Sequence, residues 1–154
     1  MTTARDVQPP EGYDPSQFPA FAVTVDIVIL TMSEGELRVL LVRRGVEPYQ
    51  GRWAIPGGFK RPNETLDEAA TRELREETSI DGAALLTQFG AYGDPNRDPR
   101  MNVVTVAYLA VLPEVIGIVA GTDASHASLV AVTDVLEEKL ELAFDRGDGG
   151  AHAL

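Results

Sequence analysis

Between Gly58 and Ile80 the chain runs GFKRPNETLDEAATRELREETSI. A glycine is followed six residues later by an acid, Glu64, and eight residues after that begins Arg72-Glu73-Leu74-Arg75-Glu76-Glu77. Carboxylates grouped this way suit hard cations that prefer oxygen ligands. The chemistry they point to is metal-assisted attack on phosphate, whose own negative oxygens repel a nucleophile until a cation neutralises them.

Such acids act together only if one element holds them. The Pro56-Gly57-Gly58 run reads as a turn closing a strand-like stretch, and Asn63 with residues 64–66 reads as a helix start. The spacing predicts a helix over about 63–78. Stepping about 100° per residue from Glu64 puts Leu66, Ala69, Ala70 and Leu74 on one inward stripe. Glu73 and Glu77 fall within that stripe and Glu76 at its edge, while Asp67, Glu68, Thr71 and Arg75 face solvent.

Ionised carboxylates turned inward cost several kcal/mol unless paired or bound to a cation. Glu73 and Glu77 are also like charges at i,i+4. Arg72 and Arg75 stand against Glu64, Asp67, Glu68, Glu73, Glu76 and Glu77, so the helix needs further positive charge. A divalent ion supplies it.

This segment resembles the Nudix box, G-x5-E-x7-R-E-U-x-E-E-x-G-U with U aliphatic. Gly58, Glu64, Arg72, Glu73, Leu74, Glu76, Glu77 and Ile80 match in register, and Ser79 stands where the pattern has glycine. A glycine there suits a left-handed helix cap, which serine reaches at some cost. A small loss of stability is expected from it, with catalysis intact. Residues 20 to 112 are similar to Nudix cores of the ADP-ribose pyrophosphatase type and to the Nudix domains of NrtR-like regulators. The stretches Arg52 to Phe59 and Gly93 to Arg100 carry this second likeness.

The resemblance implies an α/β protein with the Nudix fold, an α/β/α sandwich around a mixed β-sheet. It implies that Glu73, Glu76 and Glu77 bind Mg²⁺ or Mn²⁺, with a backbone carbonyl at Gly57 or Gly58 completing the site. Arg72 would orient the acids through charge-assisted bonds, and Glu64 would support the helix start. Arg43 and Arg44 end a predicted strand near the phosphate end of the cleft, where they either bind substrate or are solvated. A general base outside the box is expected among Asp94, Asp98, Glu114 and Asp123, and the sequence does not choose between them. Tyr13, Phe18, Tyr49 and Tyr92 are open candidates for stacking on a base.

Composition bounds the reading. The 154 residues, 44% hydrophobic, suffice for one domain with a full core. The net charge of −11 argues against nucleic-acid binding by this domain alone. There is no cysteine, hence no disulfide or thiolate zinc site. His126 and His152 lie too far apart in sequence to suggest a dyad. Apolar runs are of strand length and the first residues lack a signal-peptide core, so no membrane partner is expected and the cytoplasm is the default.

Residues 1–19, with Pro9, Pro10, Pro15 and Pro19, read as an extended arm. The domain is placed at 20–146 and a glycine-rich tail at 147–154. Strands are expected over 21–31, 37–42, 85–92, 102–112 and 128–132, and a short helix over 135–142. Residues 21–31 are apolar on both parities, as in a strand covered on both faces. Asp26 breaks that pattern without a sequence-level reason.

The leading functional expectation is a metal-dependent hydrolase of a nucleoside diphosphate linked to another group, ADP-ribose or a related nucleotide sugar. The alternatives are a pyrophosphohydrolase of (oxidised) nucleoside triphosphates and a noncatalytic ADP-ribose-sensing domain. A nucleotide-type small molecule is the expected partner, and a homodimer is the family expectation.

Overall fold

The computed structural model describes residues 7–79, 81, 86–113 and 124–143, with only the backbone of 77, 78, 124 and 125. The stretches holding Glu114, Asp123 and the 147–154 tail lie outside the described residues, as does the side chain of Glu77.

After a 3-10 turn at Pro15–Gln17, the chain forms β1 (Ala22–Ser33), β2 (Glu36–Arg44), β3 (Trp53–Ala54) and β4 (Gly57–Phe59). Helix α1 (Leu66–Thr78) follows, then β5 (Thr87–Tyr92), β6 (Val103–Leu112), β7 (Ala124–Ala131) and α2 (Val132–Leu136). The strands form one mixed sheet in the order β3-β2-β1-β6-β5, with β4 added on β1 and β7 on β2. β1 and β6 run parallel in register from Ala22↔Val103 to Thr31↔Leu112. The α/β arrangement around a mixed sheet expected from the sequence is the one observed.

β1 shows why both of its parities are apolar. Val25, Ile27 and Ile29 are fully buried with Ala69, Ala70 and Leu74 of α1 and with Val106, Tyr108 and Ala110 of β6. Side chains alternate across a strand, so Asp26, Val28 and Leu30 face the opposite side, where they line a cavity. Each fully buried aliphatic side chain on the α1 side contributes on the order of 1.5–3 kcal/mol. This packing fixes α1 to the centre of the sheet. Tyr108 adds a tether, its hydroxyl donating to Asp67 at 2.6 Å.

Several boundaries differ from the expectations. α1 begins at Leu66, because Thr65 takes the cap in a reciprocal capping box with Glu68. Residues 57–59 form a strand on β1, with Asp26↔Gly57 and Val25↔Gly58 as partners, where a turn was expected. β7 starts at Ala124 and runs antiparallel to β2. The last helix occupies Val132–Leu136 and does not reach 142: Glu138 adopts φ 54°, and the chain turns to pair with β3. There Trp53 N donates to Glu141 O at 3.0 Å and Ala143 N to Trp53 O at 2.7 Å. No helix among the described residues is long and apolar enough to cross a membrane.

Candidate active site

The site forms where α1 passes β4. Because Thr65 and Glu68 satisfy the first turn of the helix, Glu64 just ahead of it is left to face Arg72. Arg72 Nε donates to Glu64 Oε2 at 2.9 Å and Nη2 to Glu64 Oε1 at 2.6 Å, a two-pronged pairing. Nη2 also donates to Phe59 O at 3.0 Å, and Nη1 to Glu76 Oε2 at 3.2 Å and to Glu73 Oε1. One guanidinium thus organises three carboxylates and a carbonyl of β4. Arg61 reaches the same group, its backbone N–H donating to Glu64 and its side chain pairing with Glu76 at 3.4 Å.

The electrostatics follow from this geometry. The Arg72 hydrogen bonds draw Glu64 down from its ordinary value of 4.5 to about 2, and the Glu64 bonds raise Arg72. Glu73 moves the other way, because burial pushes its carboxyl up more than Arg72 pulls it down. Arg72 and Glu73 are buried, whereas Glu76 keeps 42% of its side chain exposed. Three acids sharing one arginine leave two negative charges for the site (3 − 1 = 2), only part of which Arg61 offsets.

Gly57 and Gly58 are required by contact rather than by backbone angle. A Cβ on Gly57 would overlap the Val25 carbonyl and the Asp26 carboxylate, and one on Gly58 would overlap the Glu73 carboxylate. β4 therefore threads between β1 and α1 with its backbone against the acid. All these donors are oxygens, a set that suits a hard divalent cation. No group of three His, Cys, Asp or Glu poised to hold a metal occurs among the described residues. Glu77, the third acid of the motif, contributes its backbone to α1, and its side chain lies outside them.

A cavity of about 680 Å³ opens onto these groups. Arg72, Glu73, Glu76, Gly57 and Gly58 line one part of it, and Arg43, Arg44, Arg97 and Arg100 also reach it. Arg44 Nε donates to Pro48 O at 2.6 Å. The guanidinium of Arg43 lies 4.9 Å from the centre of the Trp53 ring. Arg100 grips Asp98 through Nε and Nη2 at 3.0 and 2.7 Å and lies over the Phe59 ring at 5.1 Å.

Of the acids considered as base, Asp98 is buried; burial raises its carboxyl, but the bonds from Arg100 outweigh that and hold it below the ordinary range. An acid engaged on both oxygens is a poor proton acceptor. Asp94 is exposed and does not line the cavity, and Glu114 and Asp123 lie outside the described residues.

Several cavity residues escaped the sequence reading, Arg97 and Arg100 among them. Asp26 sits on the cavity floor and accepts from Thr105 Oγ1 at 2.5 Å; burial raises its carboxyl, opposed by Thr105, Arg97 and Arg44. Its place in an otherwise apolar strand was the available signal. Trp53 lines the cavity, whereas Tyr13, Phe18, Tyr49 and Tyr92 do not. Tyr13 and Phe18 stack on each other at 5.8 Å, and Tyr49 lies under Arg52 at 5.4 Å.

Against this geometry, the family comparison is decisive: a model of the NUDIX domain matches residues 20–148. The chain belongs to the Nudix family. The Nudix chain is 36% identical over 138 residues to the ADPR responsive transcriptional repressor NtrR of Acinetobacter baylyi, covering 88% of this chain and 54% of the repressor. It is 36% identical over 126 residues to an ADP-ribose pyrophosphatase of Methanocaldococcus jannaschii, covering 80% and 68%. The chain thus spans about half the length of the repressor it matches.

Among solved structures it is similar to the NUDIX domain of Shewanella oneidensis NrtR complexed with ADP ribose, with a TM-score of 0.77, 34% identity and coverage of 87% and 86%. It is also similar to a bifunctional NMN adenylyltransferase/ADP ribose pyrophosphatase from Francisella tularensis complexed with AMP and a manganese ion. There the TM-score is 0.73, with 27% identity and coverage of 83% and 39%. Divalent metals are the usual cofactors of Nudix hydrolases.

Proposed function

We propose that this Nudix chain hydrolyses the diphosphate of ADP-ribose or a related nucleotide sugar with the help of Mg²⁺ or Mn²⁺. The observation that carries the reading is a single cavity in which clustered carboxylates of α1 meet arginines brought by β2 and by the loop before β6. Glu73, Glu76 and Glu77, with a carbonyl of Gly57 or Gly58, would hold the metal, which would neutralise phosphate charge and acidify bound water.

The chain's own residues supply position. Arg72 hydrogen-bonds both Glu73 and Glu76, and Glu64 pairs with Arg72 in turn. Gly58 lets the backbone approach Glu73 within a distance no side chain would allow. Arg43 and Arg44 are assigned to the substrate, alongside Arg97 and Arg100. Water oxygen forms a bond to phosphorus as the bridging P–O bond breaks, one product taking the bridging oxygen and the water proton passing to solvent or to a base. For ADP-ribose the products are AMP and ribose 5-phosphate.

A second reading has its own support: the similarity to a repressor and to an NrtR domain complexed with ADP ribose favours a sensor that binds without turnover. Purified protein incubated with Mg²⁺ and a panel of ADP-ribose, NADH, diadenosine polyphosphates and (d)NTPs separates the two. AMP with ribose 5-phosphate is the expected result. Nucleoside monophosphate with pyrophosphate from the triphosphates would replace it with the triphosphate reading, and tight binding without products would establish the sensor. Glu73→Gln and Glu77→Gln should each lower turnover at least about 10²-fold in a folded protein. A near-normal rate for either would remove that residue from the chemistry.

The same reading includes a homodimer and a cytoplasmic location. Gel filtration with and without residues 1–19 tests whether the arm contributes to assembly.

A further inference from the structure

The cavity is chemically two-ended. Around Arg72, Glu73 and Glu76 it carries the carboxylates, while at β3 it is walled by Trp53, Leu142 and Val135 with the cation Arg43 on the indole. Trp53 is held there on three sides. It is paired in register with Arg43 of β2, its backbone N–H and C=O are both hydrogen-bonded to the 141–143 segment on the other edge, and His126 of β7 meets its ring edge-on at 6.1 Å. The Arg43 guanidinium stacks over the indole at 4.9 Å.

A guanidinium on an indole presents two flat, polarisable surfaces to whatever enters, and both stack well on aromatic heterocycles. The carboxylate end lies within reach, since the four peptide steps from Trp53 to Gly57 span at most about 14 Å. A ligand that satisfies both ends is planar and aromatic at one and anionic at the other.

We propose that Trp53 and Arg43 form the nucleobase subsite of this chain, with the base extending their stack and the phosphates directed toward Glu73 and Glu76. This rests on the nucleotide reading above and names the residues that recognise the base. Phe59, the other aromatic residue lining the cavity among the described residues, already lies beneath Arg100 beside the carboxylates and is assigned to the phosphate end.

Trp53 is the single tryptophan of the chain, so its fluorescence reports on the subsite directly. The test is a titration of the full chain in EDTA with AMP, ADP-ribose, ribose 5-phosphate and pyrophosphate. AMP and ADP-ribose should quench the emission saturably, and ribose 5-phosphate and pyrophosphate should not. Arg43→Met should weaken AMP about tenfold and pyrophosphate, which has no base to stack, by clearly less; an equal loss for both would make Arg43 an anion contact only.

Emission unmoved by AMP and ADP-ribose, or moved equally by pyrophosphate, would overturn the subsite. The two readings fail separately. Hydrolysis of ADP-ribose with a silent tryptophan would refute the subsite and keep the hydrolase; quenching by AMP without hydrolysis would keep the subsite and refute the hydrolase.

Discussion

At the scale of single residues, Arg72 explains how α1 tolerates its acids. It is buried, and its partners Glu64 and Glu73 keep only 14% and 9% of their side chains exposed. Removing it strands charges with no other full neutralisation. Arg72→Met should therefore cost about 3–5 kcal/mol in urea unfolding, and a cost under about 1 kcal/mol would show that the acids do not depend on it. Glu64 carries the pH dependence. Its folded value is depressed from 4.5 to about 2, so its stabilisation is complete above 4.5 and is lost as pH falls toward 2. Stability measured in EDTA should fall through that window, and Glu64→Gln should flatten the fall; an unchanged slope would detach Glu64 from acid unfolding. Glu73, raised by burial, acts in the opposite sense. Helical periodicity was enough to turn Glu73 inward, but Arg72 was not part of that inward stripe. Arg72 is buried because Phe59 and Glu64, from the segment before the helix, close over that face. A helical wheel contains no such neighbour.

At the scale of elements, the long strands and the helix were legible because their patterns are long and regular. β4 was not, since two glycines carry no side-chain pattern and its pairing depends on β1. α2 was misplaced because the apolar residues after it, ending at Leu142, serve a bridge to Trp53 instead of a helical face. The end of α1 was read correctly in kind: Ser79 caps it in the left-handed region at φ 60°, ψ 16°, donating to Arg75 O at 2.8 Å. Serine bears a steric cost there that glycine does not. Ser79→Gly should raise stability by up to about 1 kcal/mol, less what glycine loses in the unfolded chain, with turnover unchanged. A lower denaturation midpoint for that variant would mean the cap is stabilised by its serine.

At the scale of the whole molecule, charge and topology set the behaviour. A net charge of −11 opposes association with a DNA duplex. Despite the similarity to a repressor, this chain should give no change in the anisotropy of a labelled duplex at about 0.15 M salt, where screening spans about 8 Å; saturable binding there would show that net charge does not govern its contact with DNA. The parallel join of β1 to β6 has a further effect, on the order of assembly. Ala22 meets Val103, so the middle of the sheet cannot close until most of the chain is available. Loop closure of that size slows folding relative to local hairpins. During synthesis the first hairpin, β1 with β2, must wait with one edge unsatisfied until β6 emerges.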